Sequence, residues 1–179
     1  MKLYSQLKDI QKKRHQCKFF IKTEIEEYTL HGYVLDMNKE FIYIREVIDF
    51  TVDGYRIFKL KNLDKVRYGK FDKISSKIND KEGLIPEIYS YEKINLESYQ
   101  TIFKAIKKVY NFSIIENTYK NELAFNIGQI TRVNKSSVSQ LYFDATGKVD
   151  KNVTSIPYTD IIIIGFDNHY INVFQKYLR

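Results

Sequence analysis

The sequence predicts a mainly β chain with flanking helices, α+β in class, built as two tandem small β-barrels that are each preceded by an amphipathic helix. Three observations carry this. Between Gly32 and Gly69, short runs of strand-forming residues are punctuated by Asn-Lys-Glu and Asp-Gly turns. The pattern returns 96 residues later without a gap, setting Gly32 on Gly128, Asn38 on Asn134, Leu60 on Ile156, Asp64 on Asp160, Val66 on Ile162 and Gly69 on Gly165. A helical apolar stripe precedes each copy, and Leu7, Lys8, Ile10 and Lys12 fall on Phe103, Lys104, Ile106 and Lys108 under the same shift.

Composition agrees with a packed protein. The chain has 179 residues, 44% hydrophobic and 15% aromatic, which suits two units near the lower end of domain size and excludes wholesale disorder. The longest continuous apolar run, Ile161 to Ile164, is far too short to span a bilayer, and no signal-like segment opens the chain, so the cytoplasm is expected. One cysteine, Cys17, excludes an internal disulfide. The net charge of +7 is shared, with 18 Lys/Arg against 14 Asp/Glu in residues 1–90 and 11 against 8 in 91–179. Such an excess favours an anionic partner without choosing among nucleic acid, acidic protein and membrane surface.

Taken in order, Leu3, Leu7 and Ile10 form one face of a first helix with Lys12, Lys13 and Arg14 in its last turn. Strands follow at 17–25, 28–37, 41–50 and 55–60, with turns at 38–40 and at Asp53-Gly54. Leu60, Leu63 and Val66, spaced by three, predict a 3₁₀ turn before a short closing strand. Residues 71–78 have helical spacing, and the polar run ending at Gly83, with Pro86 beyond it, places a boundary: 1–83 forms the first domain, 84–94 a linker and 95–179 the second domain. There Asn95 is read as the N-cap of a helix from Leu96 to Tyr110, followed by strands at 112–115, 123–133 and 138–143. The run 155–165 repeats the turn and closing strand, and 168–178 is a terminal helix. Near Phe143 the alignment fits better at a shift of 95, marking a one-residue slip.

With a helix in front and a 3₁₀ turn before its last strand, each unit resembles a small SH3-like or Sm-like barrel of a kind seen in uncharacterised bacterial proteins. The resemblance implies the fold. RNA binding does not come with it: Asp36 and Asn38 stand closer to Gly32 than the Sm pattern requires, Arg132 replaces Asp36 in the second copy, and Tyr68 or Ile164 stands where a basic residue is expected.

No catalytic constellation is found. His15, His31 and His169 lack partners at metal-ligand spacing, no nucleophile motif surrounds Cys17 or the serines, and no glycine-rich phosphate loop occurs, so no catalytic residue, metal or cofactor is predicted. Asp64 and Asp160, like the four glycines, are read as structural repeat positions, the carboxylates accepting backbone N–H groups in the turn. The expected function is a noncatalytic interaction or adaptor module, its partner a protein or a second copy of itself. The alternative is a nucleic-acid-associated protein that sets Lys12, Lys13, Arg14, Lys104, Lys107 and Lys108 against an RNA or DNA backbone.

Overall fold

The first apolar stripe forms α1 (Lys2–Lys13), which buries Leu7 and Ile10, in a computed structural model that describes residues 2–179. The chain divides into two units, Met1–Lys93 and Ile94–Arg179. In the first, β1 (Cys17–Lys22), β2 (Glu27–Met37), β3 (Phe41–Ile48), β4 (Thr51–Lys59) and β5 (Leu63–Arg67) make an antiparallel sheet in the order β5-β1-β2-β3-β4. Phe41 to Val47 of β3 is buried at every position, so this strand carries core on both faces. The 3₁₀ turn is present at Leu60–Asn62.

The sheet is not closed. A barrel would join β4 to β5, but these two strands are not hydrogen-bonded neighbours. Three residues of 3₁₀ turn swing the chain away from β4, and β5 gives its ladder to β1 instead. The hairpin between β3 and β4 also differs from expectation. Its turn is Asp49-Phe50, both in the left-handed region (φ 47° and 63°), while Gly54 (φ 81°) serves a bulge opposite Glu46.

After β5, Gly69 is the N-cap of α2 (Lys70–Lys81), and Gly83 (φ 74°) ends that helix, with Leu84 N–H reaching back to Asn79 O at 2.9 Å. Residues 84–93, expected as linker, fold onto the first unit. There α3 (Ile85–Ile88) buries Ile88 against Tyr33 and Val47. Tyr91 Oη donates to Leu35 O and Tyr55 Oη to Ser90 O, both at 3.2 Å. The apolar spacing 84, 85, 88 and 89 was the available signal.

The second unit begins its helix, α4 (Tyr99–Val109), later than Asn95 would suggest. Ser98 is the N-cap, its hydroxyl accepting from Thr101 N–H at 3.2 Å. Strands β6 (Phe112–Tyr119), β7 (Glu122–Val133), β8 (Ser137–Tyr142), β9 (Thr154–Pro157) and β10 (Ile161–Phe166) form a sheet in the order β10-β6-β7-β8-β9. The run 155–165 thus holds two strands, and the expected terminal helix is shorter, α5 (His169–Phe174), capped by Asn168. All six residues of β10 are buried.

Strand for strand, the two orders are the same. Through the first three strands the registers coincide at a shift of 96. Gly32 faces Cys17 and Glu46; Gly128 faces Ser113 and Tyr142. The bulge after Val34 recurs after Ile130. Beyond the third strand the shift becomes 98: Lys59 opposite Phe41 becomes Pro157 opposite Ser137, and Val66 opposite Phe19 becomes Ile164 opposite Ile115. A bulge falls at one place in both closing ladders, after Phe20 and after Glu116.

The slip is therefore two residues inserted in the connection after the third strand, not one removed. Several sequence equivalences fall with it. Leu63 corresponds to Ile161, Val66 to Ile164 and Arg67 to Gly165, so Asp64/Asp160, Gly69/Gly165, Leu60/Ile156 and Val66/Ile162 are not structural pairs. Asp64 is an exposed residue of β5, while Asp160 lies in the turn before β10. The expected carboxylate-to-backbone bonds are not their role. Asp160 accepts from the Thr159 hydroxyl at 2.7 Å, and Asp64 makes no side-chain hydrogen bond among the described residues.

Gly32 and Gly128 are true equivalents. A Cβ on either would strike the carbonyl oxygen of the adjacent strand, Arg45 O and Leu141 O respectively, positions again 96 apart. Asn38 and Asn134 hold matching hairpin turns, with Asn38 N–H bonded to Phe41 O at 3.0 Å and Asn134 N–H to Ser137 O at 2.9 Å.

Candidate functional site: a cationic cleft in the first unit

The two ends of α1 and α2 create the site. α1 stops where Arg14 turns left-handed (φ 54°), its N–H bonded to Gln11 O and that of His15 to Ile10 O. That turn throws the Arg14 side chain off the helix and feeds the chain into β1. On α2, Lys73, Ser76, Lys77 and Asp80 recur at helical spacing along one face. Together with His15, Tyr68 at the end of β5 and Ile85, they line a cleft of about 470 Å³.

The helix bearing the lysines is held firmly. Asp72, 3% exposed, takes a two-pronged ion pair from Arg67 (Nε and Nη2, each 3.0 Å) and the Gly69 N–H at 2.7 Å. Burial pushes its carboxyl upward, but Arg67 and the Gly69 N–H outweigh that and hold it below the ordinary aspartate value. Ser76 Oγ accepts from Gln16 N–H at 3.0 Å and donates to Asp72 O at 2.9 Å. Deeper, fully buried Asn79 donates to Gln16 Oε1 at 2.6 Å and to Tyr33 Oη at 2.9 Å. The floor is thus a polar network joining α2 to β1 and β2, while the lysines one turn above it point outward.

The cleft gathers an excess of positive charge, three cations against one carboxylate. Among the described residues Arg14, Lys73 and Lys77 form no ion pair, and Asp80 is the sole carboxylate lining the cleft with them. Some cations elsewhere in the unit are paired, Lys13 with Asp9, Lys22 with Glu27, Lys59 with Glu40 and Arg56 with Glu46, while exposed lysines such as Lys61 and Lys70 stand dispersed. What distinguishes the cleft is that its three cations are brought together. The Arg14 guanidinium lies 4.5 Å above the Tyr89 ring, and Lys73 Nζ 5.4 Å over Tyr68. His15 and Tyr68 stack at 4.0 Å and 10°. Burial first, then Lys13, lowers the His15 pKa, so the imidazole is neutral at pH 7.

The second unit does not repeat this arrangement. Arg14, His15 and Tyr68 correspond to Tyr110, Asn111 and Phe166, whose two rings pack at 5.1 Å with Phe166 fully buried. The helix after β10 carries no lysine or arginine. Where the first copy places Arg14 and His15, the second places the partly buried, uncharged Tyr110 and Asn111, so the cationic cleft is not an automatic consequence of the strand order.

The basic residues nominated from sequence are divided. Arg14 alone enters the cleft. Lys12 is exposed on α1, and Lys13 is tied to Asp9 at 2.7 Å. Lys104 and Lys108 are exposed on α4, and Lys107 Nζ donates to Thr131 O at 2.6 Å. Of the repeat positions, Gly69 positions the Asp72 clamp, and Asp160 borders a separate groove in the second unit beside Asn117, Asn126 and Tyr119. Lys73 and Lys77 were missed, although their spacing of four was visible.

The described residues contain no cluster of three or more His, Cys, Asp or Glu able to hold a metal. Among the described residues no helix is long and apolar enough to cross a membrane. Cys17 is fully buried, and burial foremost drives its thiol pKa far upward, which leaves the thiol unionised. No protein-family model, curated protein or solved structure matches the chain.

Proposed function

We propose that the protein is a noncatalytic interaction module, two SH3-like or Sm-like units in tandem, whose first unit takes an anionic group of its partner in the cleft of Arg14, Lys73 and Lys77. One observation carries this reading: three cations, none in an ion pair and outnumbering the single carboxylate Asp80, are gathered on a frame that the Asp72 and Asn79 networks hold in place. Preorganised donors bind an anion at little cost in ordering, which is how a small cleft can achieve useful affinity. The loss of the same charges in the second unit fits a duplication in which one copy kept binding and the other kept structure.

The test is retention on immobilised heparin, a sequence-free polyanion, over a salt gradient. Arg14→Gln/Lys73→Gln/Lys77→Gln should elute at clearly lower salt than the unmodified protein. Lys104→Gln/Lys107→Gln/Lys108→Gln removes as much charge from α4 and should elute much closer to it. Equal shifts would mean that net charge alone governs retention, and the cleft would lose its claim.

A further inference from the structure

Resting on the reading of the cleft as an anion site, we infer that its ligand is a nucleotide unit of a single-stranded nucleic acid, with the phosphate on Arg14, Lys73 and Lys77 and the base on the His15–Tyr68 stack. Charge alone would suit any anion, and the aromatic wall narrows the choice. Two rings already stacked at 4.0 Å and nearly parallel offer a planar, polarisable surface on which a further heteroaromatic ring continues the stack. A neutral imidazole in that stack suits a neutral base, and burial favours that state at pH 7. Lys73, exposed on a flexible stem and over the Tyr68 ring, can give up that contact for a phosphate oxygen while a base takes its place. Arg14 is different: its guanidinium carbon lies 4.5 Å from the Tyr89 ring centroid, a contact that steadies the side chain while leaving its N–H groups free to donate. The volume, about 470 Å³, lies within the range of small-ligand sites, roughly 300–1,000 Å³. A duplex would keep its bases stacked on one another and leave the aromatic wall unused.

The experiment is fluorescence anisotropy with a labelled short RNA single strand at fixed salt, competed by a duplex of equal charge, by inorganic phosphate and by a polyglutamate peptide. The single strand should bind best. Tyr68→Leu should weaken it about tenfold, the loss of one stacked base, while Tyr68→Phe keeps the affinity and both keep heparin retention. If Tyr68→Leu binds the strand as well as the unmodified protein, base stacking is wrong even though the anion reading survives. If polyglutamate competes as well as RNA at equal charge, the partner is an acidic protein and the inference falls. Should the Gln triple variant alter neither heparin retention nor RNA affinity, the cleft itself is the wrong site. Should Tyr68→Leu fail to fold, the His15 imidazole resonances of the unmodified protein decide: a nucleoside monophosphate should shift them by its ring current, whereas inorganic phosphate should only raise the His15 pKa. The same response to both would overturn the stacking.

Discussion

Adding a single methyl group at Gly32 tests the close approach of β2 to β3. The Cβ of Gly32→Ala would sit inside van der Waals contact of Arg45 O, with Arg45 C and the Glu46 Cα beside it, all backbone atoms that cannot rotate away. Relief requires the two strands to part by about 1 Å at this point, enough to forfeit much of the local attraction. The neighbouring Gly32↔Glu46 and Tyr33↔Arg45 pairs would loosen with it. Weakening two buried backbone hydrogen bonds at about 1 kcal/mol each, plus overpacking of about 1–2 kcal/mol, gives an expected loss of about 2–4 kcal/mol. For a unit of this size that lowers Tm by about 10 °C or more. Gly128→Ala should cost a similar amount against Leu141 O. Gly83→Ala is the control: its φ of 74° disfavours a side chain, but no atom lies within 4 Å of the added carbon, so about 1 kcal/mol is expected. Urea unfolding of the three variants, with amide exchange along β2 and β3, provides the measurement. A loss below about 0.5 kcal/mol for Gly32→Ala would refute the close-approach argument, and a severe Gly32→Ala beside a neutral Gly128→Ala would refute the equivalence of the two ladders.

Three further outcomes are expected. The depressed pKa of Asp72 contributes stability that is fully present above the pKa of an unfolded aspartate, about 3.9, and is lost as pH falls through the lower folded value. Asp72→Asn should therefore cost about 2–3 kcal/mol at pH 7 in urea titrations, and the difference from the unmodified protein should shrink on the acid side. Gln140 donates to Ser113 Oγ at 2.7 Å within the second core and leaves its Oε1 buried without a partner, where the first unit has Ile44 and Cys17. Ser113→Cys/Gln140→Ile should accordingly be neutral or stabilising by about 1 kcal/mol, while Gln140→Ile alone, which strands the serine, should be worse than the pair. Cys17 should resist a thiol reagent at pH 8 in the folded protein and react at the ordinary rate in denaturant; fast labelling of native protein would contradict its burial.

Most elements could be read from the residues, because the strands are short alternating runs and α1 and α4 carry clear stripes. The errors share a cause. Asp53-Gly54 looks like a turn because Gly tolerates positive φ, but a bulge asks for the same φ, and only strand pairing distinguishes the two. Asn95 resembles an N-cap, but Ser98 with Thr101 closes the end by mutual hydrogen bonds. The ungapped repeat was convincing up to the third strand and misleading after it. Aspartates and glycines common at turns matched by coincidence across a two-residue insertion. Register is a property of hydrogen-bonded partners, and a linear comparison of residues carries none of that information.

By itself the sequence determined the mainly β class, the helix ahead of each unit, the repeat through the third strand and the equivalence of Gly32 and Gly128. Each follows from local periodicity or from a residue type with one physical use. Only the tertiary structure decided that the sheet stays open, that residues 84–93 belong to the first unit and that the closing strand slips by two. It alone brought Arg14 from the end of one helix beside Lys73 and Lys77 of another, about sixty residues away. Lysines and arginines are common on every helix, and their sequence positions say where charge is attached to the chain. Whether it is paired, as at Lys13, or gathered in excess over a single carboxylate, as in the cleft, depends on which helix ends the packing places together.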